Sequence, residues 1–334
     1  MKNKIASMFV VLAILLVLEI ILGSTWISAD LVFEAMFSPE HPLAPIAQTR
    51  FNSALGATLA GAGLGICGLS IQTFFRNPLA GPSVLGVSTG ASLGVALLVL
   101  ISGSFGMVWT SMGVGASFAM AIAALVGGMT VLALLLLLSK KISSNVSLLI
   151  FGLMLGYITG ALVSVLQTQA QAENIKSLVM WGMGNFSDLY SGELVLMLLV
   201  VLLGSVILYM RRSALDAWLF GSQYAFSMGV DVKQLRWIML GSVGLIVGVI
   251  TAFCGPIAFI GLSTPHLTRG LFGKGSHSQL IPLTLLVGAV LAIFCDLLSR
   301  LPGIDYTLPL NAVTCMIGAP LIIWVILKGR RIHG

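Results

Sequence analysis

The sequence predicts an all-α, polytopic membrane protein of about ten transmembrane helices, and three observations carry the prediction. The 334-residue chain is 58% hydrophobic and only 8% charged, with a mean hydropathy of +1.07. A soluble domain carries about 25% charged residues. Several stretches of about 18 or more residues are continuously apolar, which favours helical spans over barrel strands, whose apolar residues would alternate. The basic residues also divide unequally between the two sides once the spans are drawn.

Apolar runs between breakers place helices at 5–24, 48–74, 84–102, 112–138, 145–168, 192–210, 237–253, 280–297 and 308–327. The first run follows Lys2 and Lys4 and contains Glu19. It is longer than the typical signal-peptide core of about 7–15 residues, so it reads as a retained transmembrane helix. The second ends at a polar seam, Arg76 to Gly86, where two prolines and two glycines cannot continue a membrane helix. The seam reads as the bend that ends one long helix and sets the next. The stretch from Gly255 to Thr268 is apolar but short, broken by Pro256 and Pro265. With a cytoplasmic N-terminus, fourteen basic residues fall inside: Lys2, Lys4, Arg76, Lys140, Lys141, Arg211, Arg212, Lys233, Arg236, Arg269, Lys274, Lys328, Arg330 and Arg331. Outside stand only Arg50, Lys176 and Arg300. This partition supports the map. It also requires residues 237–268 to go out and return, and as helix they reach about 48 Å, short of the roughly 60 Å of two crossings. The second leg is therefore short or re-entrant and must pack inside protein. It is the tenth membrane segment, and both termini are cytoplasmic in a multi-pass protein of the cytoplasmic (inner) membrane. The whole chain, 1–334, reads as one transmembrane domain with its longest cytoplasmic loop at 211–236.

Composition excludes several functions. The net charge of +6 sets topology rather than binding nucleic acid. Cys67, Cys254, Cys295 and Cys315 stand singly with no CxxC spacing, as buried small hydrophobes do. There is no HExxH, no paired-carboxylate helix and no GxSxG. The P-loop pattern fails at Thr268 and Gly275, so ATP is not bound by a Walker motif. Glu19 alone lies well inside a span, with Asp296 at a helix end; ion-coupled carriers usually bury more such groups. The pairs Gly61/Gly65, Gly90/Gly94, Gly152/Gly156/Gly160 and Gly244/Gly248 show small-xxx-small spacing. They are either helix contact faces or chance matches in a chain with 38 glycines.

Three segments together carry a family resemblance. Arg76, Asn77, Pro78 through Gly86, continuing to Gly90-Ala91, resemble the RNPLAxPxxLGxxxGA stretch of FecCD-type (BtuC-like) permeases. Gly255-Pro256 through Gly261-Leu262, then Pro265-His266 and Arg269, resemble their GPIxFxGLxxPHxxR. Leu308-Pro309-Leu310 with Thr314 and Gly318-Ala319-Pro320 resemble their LPxGxxTxxxGAP. These permeases are the membrane subunits of type II ABC importers for iron-siderophores, haem and cobalamin. The resemblance implies ten helices per subunit and a homodimer with the path on its two-fold axis. It also implies two cytoplasmic ATPases that hold ATP and Mg, and an extracytoplasmic substrate-binding protein. It makes this chain a permease for a metal chelate, an iron-siderophore first, with no catalytic residues and no cofactor or metal of its own. A secondary carrier driven by an ion gradient is the competing class.

The resemblance also implies site residues. Phe220 to Val230 is similar to the LGxxxAxxLGv element, two short helices that engage the ATPase. Here Gly221, Gln223, Tyr224, Ala225, Phe226, Met228, Gly229 and Val230 would form the coupling surface, Ala225 and Gly229 as its small floor. Arg50 and Arg300 would meet acidic residues on the binding protein, or alternatively snorkel, with Arg300 pairing locally to Asp296 or Asp305. Gly152, Gly156, Thr159, Gly160 and Ser164 resemble the weakly polar face of the pore-lining helix, and Asn311 would add an amide to the path. His266 reads as a hydrogen-bonded structural histidine rather than a metal ligand. The sequence departs from the family at Arg50-Phe51-Asn52-Ser53, where many members have Arg-x-Pro-Arg. It departs again at Asn311, usually glycine, and at Ser263-Thr264, usually apolar.

Overall fold

The computed structural model describes residues 2–22, 27–38, 40–101, 114–142, 144–300 and 307–330. These residues form fourteen α-helices and one 3-10 helix, with no strand among them. In order they are α1 (Lys2–Ile21), α2 (Ala29–Phe37), α3 (Ala44–Phe75), a 3-10 turn (Pro82–Leu85), α4 (Val87–Ile101) and α5 (Val114–Ser139). Then come α6 (Asn145–Gln167), α7 (Ala172–Gly182), α8 (Ser191–Met210), α9 (Arg212–Leu219), α10 (Ser222–Ser227), α11 (Val232–Cys254), α12 (Ile260–Phe272), α13 (His277–Ser299) and α14 (Leu310–Arg330).

Seven of these are long and apolar enough to cross a membrane, namely α1, α3, α5, α6, α8, α11 and α13. Two shorter apolar helices, α4 and α14, and the 13-residue α12 complete the ten expected segments. At 13 residues α12 rises about 20 Å, two thirds of a bilayer core, which is the short leg the length argument demanded. The other four helices, α2, α7, α9 and α10, lie in segments the hydropathy reading left as loops. Residues 23–24, 102 and 112–113 of the expected spans lie outside the described residues. The expected loop 211–236 ends earlier, because α11 begins at Val232 with Asp231 as its N-cap, its carboxylate accepting from the Gln234 N–H at 3.0 Å.

The chain divides into two compact units, each assembled from separated segments. The first contains residues 1–69, 185–205 and 257–334. Its packing rests on glycines at backbone contacts: a Cβ on Gly61 would strike the Gly288 carbonyl, and one on Gly68 would strike the Gly261 carbonyl. α3 therefore approaches α13 and the start of α12 more closely than any larger residue permits. Thr264 turns its hydroxyl back to the Ile260 carbonyl at 2.7 Å and presents its methyl group toward Gly65.

The second unit contains residues 70–184 and 206–256. α4 lies against α5, with Gly90 and Gly94 facing Gly127 and Ala123. Gly244 of α11 accommodates the Leu132 side chain, and Ser88 and Thr251 share a hydrogen bond of 3.1 Å. The seam between α3 and α4 is built as its residues dictate. The Asn77 side chain accepts from the Leu79 N–H at 2.9 Å, Pro82 opens the 3-10 turn, and Gly86 at φ +73° makes the left-handed step into α4.

Candidate functional site

Four regions of the molecule bear on function. The first is the segment from α9 to the start of α11. Leu215 and Trp218 bury the inner face of α9, and the Trp218 indole N–H donates to the Phe74 carbonyl at 2.8 Å while its ring stacks on Phe74. This anchors the short helix to the end of α3. Gly221 at φ +112° redirects the chain into α10. Gly229 at φ +80° ends α10, with the Val230 N–H donating to the Ala225 carbonyl and the Gly229 N–H to that of Phe226. That pair of bonds is a Schellman cap. Ala225 is fully buried, so it is a packing contact and not the floor of an outer surface. What faces outward is apolar: Phe220 and Phe226 are three-quarters exposed, Met228 somewhat less and Tyr224 about half, and the Phe220 and Tyr224 rings meet at 5.2 Å. Gln223 is also exposed. Large apolar side chains held outward on capped, anchored helices mark a contact surface. Phe220 belongs to it with Tyr224, Phe226 and Met228, and nothing in its local sequence separates it from a buried phenylalanine.

The second region is the small-residue face of α6, which the structure splits. A Cβ on Gly152 would strike the Val84 carbonyl, and Gly86 lies against Gly152 and Gly156. Gly156 also meets Thr89. These glycines admit the seam, and Thr159 is buried beside them with its hydroxyl bonded back to Leu155 and Gly156. Gly160 and Ser164, one and two turns further, are exposed, and no atom approaches the Gly160 Cα face. The seam is thus held to α6 by the nearer half of the stripe, and only the farther half is open.

The third is the broken segment before α12. Phe259 takes φ +62°, rare for a residue with a side chain, and the Ile260 N–H donates across it to the Ala258 carbonyl at 2.7 Å. This is the strained γ-turn geometry. Two residues of the third motif secure it. The Asn311 side chain accepts from the Ala258 N–H at 2.9 Å, and Gly318 makes room for the Phe259 side chain and the Ser263 hydroxyl. Asn311, expected as a path residue, therefore satisfies a backbone donor that the break in the helix leaves unpaired. Pro265 is buried within α12 and His266 is half-buried; Pro309 immediately precedes α14, while Pro320 lies inside it. Gly255 at φ +71° fits against the Trp181 carbonyl, and Pro256 follows it.

The fourth contains the two arginines expected to face outward. Arg50 is only 6% exposed and donates to the Ile20 and Ile21 carbonyls at 3.3 and 2.6 Å, capping the end of α1. Arg300 pairs with Asp296 at 2.5 Å and with Glu19 at 3.5 Å, and also donates to the Ser53 hydroxyl. Ser53 in turn donates to Asp296 at 3.2 Å. The local Arg300–Asp296 pairing is the one formed, and Asp305 lies outside the described residues. Asn52, where the family's proline often stands, donates to the Leu189 carbonyl at 2.9 Å and accepts from Gln48. At the other end of α1, Lys4 donates to the Leu271 carbonyl at 2.8 Å.

Comparison with known proteins matches these features to one family. The FecCD transport family matches residues 11–328. The vitamin B12 import system permease protein BtuC of Vibrio cholerae is 31% identical over 315 residues, 94% of this chain and 90% of that protein. BtuC of Escherichia coli is 32% identical over 324 residues, 96% of this chain and 94% of that protein. A solved structure described as a metal-chelate type ABC transporter in an inward-facing conformation superposes with a TM-score of 0.83. It is 29% identical, with 98% of this chain and all of that chain covered. PsaBC from Streptococcus pneumoniae shares the fold at a TM-score of 0.57 and 16% identity. With the family matched from α1 to α14, and its three sequence signatures forming the seam, the broken segment and the helix that secures it, this chain belongs to the FecCD transport family as a multi-pass permease of an ABC importer.

Proposed function

We propose that this permease imports a metal chelate, with cobalamin the first candidate and an iron-siderophore or haem the alternatives. The relatives named above are vitamin B12 permeases, which moves cobalamin ahead of the siderophore favoured on sequence alone. The observation that carries the reading is the outward apolar surface of Phe220, Tyr224, Phe226 and Met228, on a loop flanked by Arg211, Arg212 and Lys233, in a chain without a Walker motif. By the positive-inside rule this loop is cytoplasmic, as are both termini. The surface docks a cytoplasmic ATPase that holds ATP and Mg; this chain is not itself an enzyme and binds no cofactor. A homodimer places the open half of the α6 stripe, Gly160 and Ser164, on the path. An extracytoplasmic binding protein delivers the chelate. Arg50 and Arg300 contribute to that docking only by exchanging the internal bonds they already make.

The test is reconstitution with the cognate ATPase and binding protein in proteoliposomes. ATP-dependent uptake of cobalamin is expected, and F226D with M228D is expected to remove ATPase copurification while the permease remains folded. Uptake that proceeds without ATP or binding protein would overturn the importer reading in favour of an ion-driven carrier. Binding of a siderophore or haem, but not cobalamin, by the partner binding protein would overturn the substrate order alone.

A further inference from the structure

The second unit contains a cavity of about 840 Å³ where four helix ends meet. Phe75 closes α3 and Ser139 closes α5, while Asn145 opens α6 and Val232 opens α11. Side chains from neighbouring elements pin these ends together. Asn145 donates to the Phe74 carbonyl at 3.1 Å, beside the Trp218 bond to the same oxygen. Arg236 donates to the Ser139 and Ile142 carbonyls and to the Asn145 side chain, which caps α5 and joins it to α6. The walls are thus held by bonds that do not involve any ligand.

The charge on those walls has one sign. Arg76, Lys140, Lys141, Lys233 and Arg236 all line the cavity, and no Asp or Glu is among its described lining residues. Asp231, the residue before the lining Val232, caps α11. The N-terminal ends of α6 and α11 add the positive poles of their helix dipoles. Five cations around one space repel each other unless an anion enters among them. The Trp237 ring lies under the Lys140 ammonium at 5.0 Å, giving the wall an amphipathic character of the kind found at the headgroup level of a bilayer. Below this rim the surface turns apolar: Leu134 and Leu137 on α5, and Val146 and Ile150 on α6, are all exposed.

We propose that this cavity binds the phosphodiester headgroup of an anionic phospholipid, whose acyl chains lie along the exposed apolar faces of α5 and α6. The cations and helix N-termini select a phosphate. The apolar surface continuing from the rim selects a lipid over a soluble anion. A basic pocket between membrane helices at their positively charged ends has the chemistry that recognises such headgroups.

The test uses the full-length chain purified in mixed phosphatidylglycerol and phosphatidylcholine, with retained lipid counted by native mass spectrometry. Wild type is expected to retain phosphatidylglycerol preferentially. Combined K140Q, K141Q and K233Q should lower that preference by at least about tenfold. A control removing three charges away from the cavity, R211Q with R212Q and K274Q, should leave it within about twofold. Unfolding of both triple variants in pure phosphatidylcholine reports that they are folded; if the cavity triple is not, K141Q alone should still lower the preference by about threefold. Equal losses in both triples, or no preference in wild type, would overturn the proposal. So would protection from heat by inorganic phosphate alone, equal to that given by phosphatidylglycerol and lost in the cavity triple, because it would assign the site to a soluble anion.

Discussion

Arg300 in the first unit and Arg236 in the second are both arginines at the ends of membrane segments, and their surroundings are opposite. Arg300 meets Glu19 and Asp296, and with Arg50 nearby the four formal charges cancel. Arg236 donates to carbonyls and an amide, and its charge stands beside four more of the same sign around the cavity. Both arrangements give the guanidinium several acceptors. In the first these include two carboxylates. A neutralised cluster holds α1 against α3 and α13 and leaves little field for a partner to use. An unneutralised one projects a field toward whatever anion approaches. The difference separates a structural use of arginine from one suited to binding.

Four variants test that contrast, in decreasing order of expected effect. R300A leaves two buried carboxylates with Arg50 as their counter-charge, and removing one partner of such a set costs about 3–5 kcal/mol. The thermal unfolding midpoint in a zwitterionic detergent should fall more than for any other variant here; an unchanged midpoint would show that the cluster is not held by charge. R300M combined with E19Q leaves Arg50 and Asp296 as a neutral set and should recover more than half of that loss. If it is no more stable than R300A, lost packing rather than lost neutrality explains the damage. R236M leaves carbonyls at the end of α5 without their donor, at a cost of about 1–3 kcal/mol. The loss should be smaller than for R300A because carbonyls at a helix end reach solvent more readily than a buried carboxylate does. The smallest effect belongs to K140Q, K141Q and K233Q together, whose side chains are exposed and should change the midpoint in pure phosphatidylcholine by less than about 0.5 kcal/mol per site. A large loss there would show that the basic rim is part of the scaffold.

Much of the fold is legible along the chain. The long apolar runs became α1, α3, α5, α6, α8, α11 and α13, and the arithmetic on residues 237–268 anticipated the short α12. The helices missed, α2 and α7 among them, are too short to show as membrane spans and are not purely apolar; Asp30 and Glu34 sit in one, Glu173 and Lys176 in the other. The site was legible in part. The sequence singled out the segment from Phe220 to Val230 but not the direction of each residue, since Ala225 and Phe226 are neighbours in sequence with opposite exposure. The glycine spacings were ambiguous for the same reason: Gly156 and Gly160 share one pattern, yet only the first meets another segment.

By itself the sequence determined the membrane class and the long spans, because hydropathy accumulates along a single segment and needs no partner. Its three short signatures also determined the family. Only the tertiary structure decided how those signatures are used: that Gly86 rests on Gly152, that Asn311 holds the backbone at Ala258, and that Glu19 and Arg300 form a pair across nearly the full length of the chain. A buried polar group must find a partner wherever packing brings one, and that choice depends on distances between helices that no local pattern records.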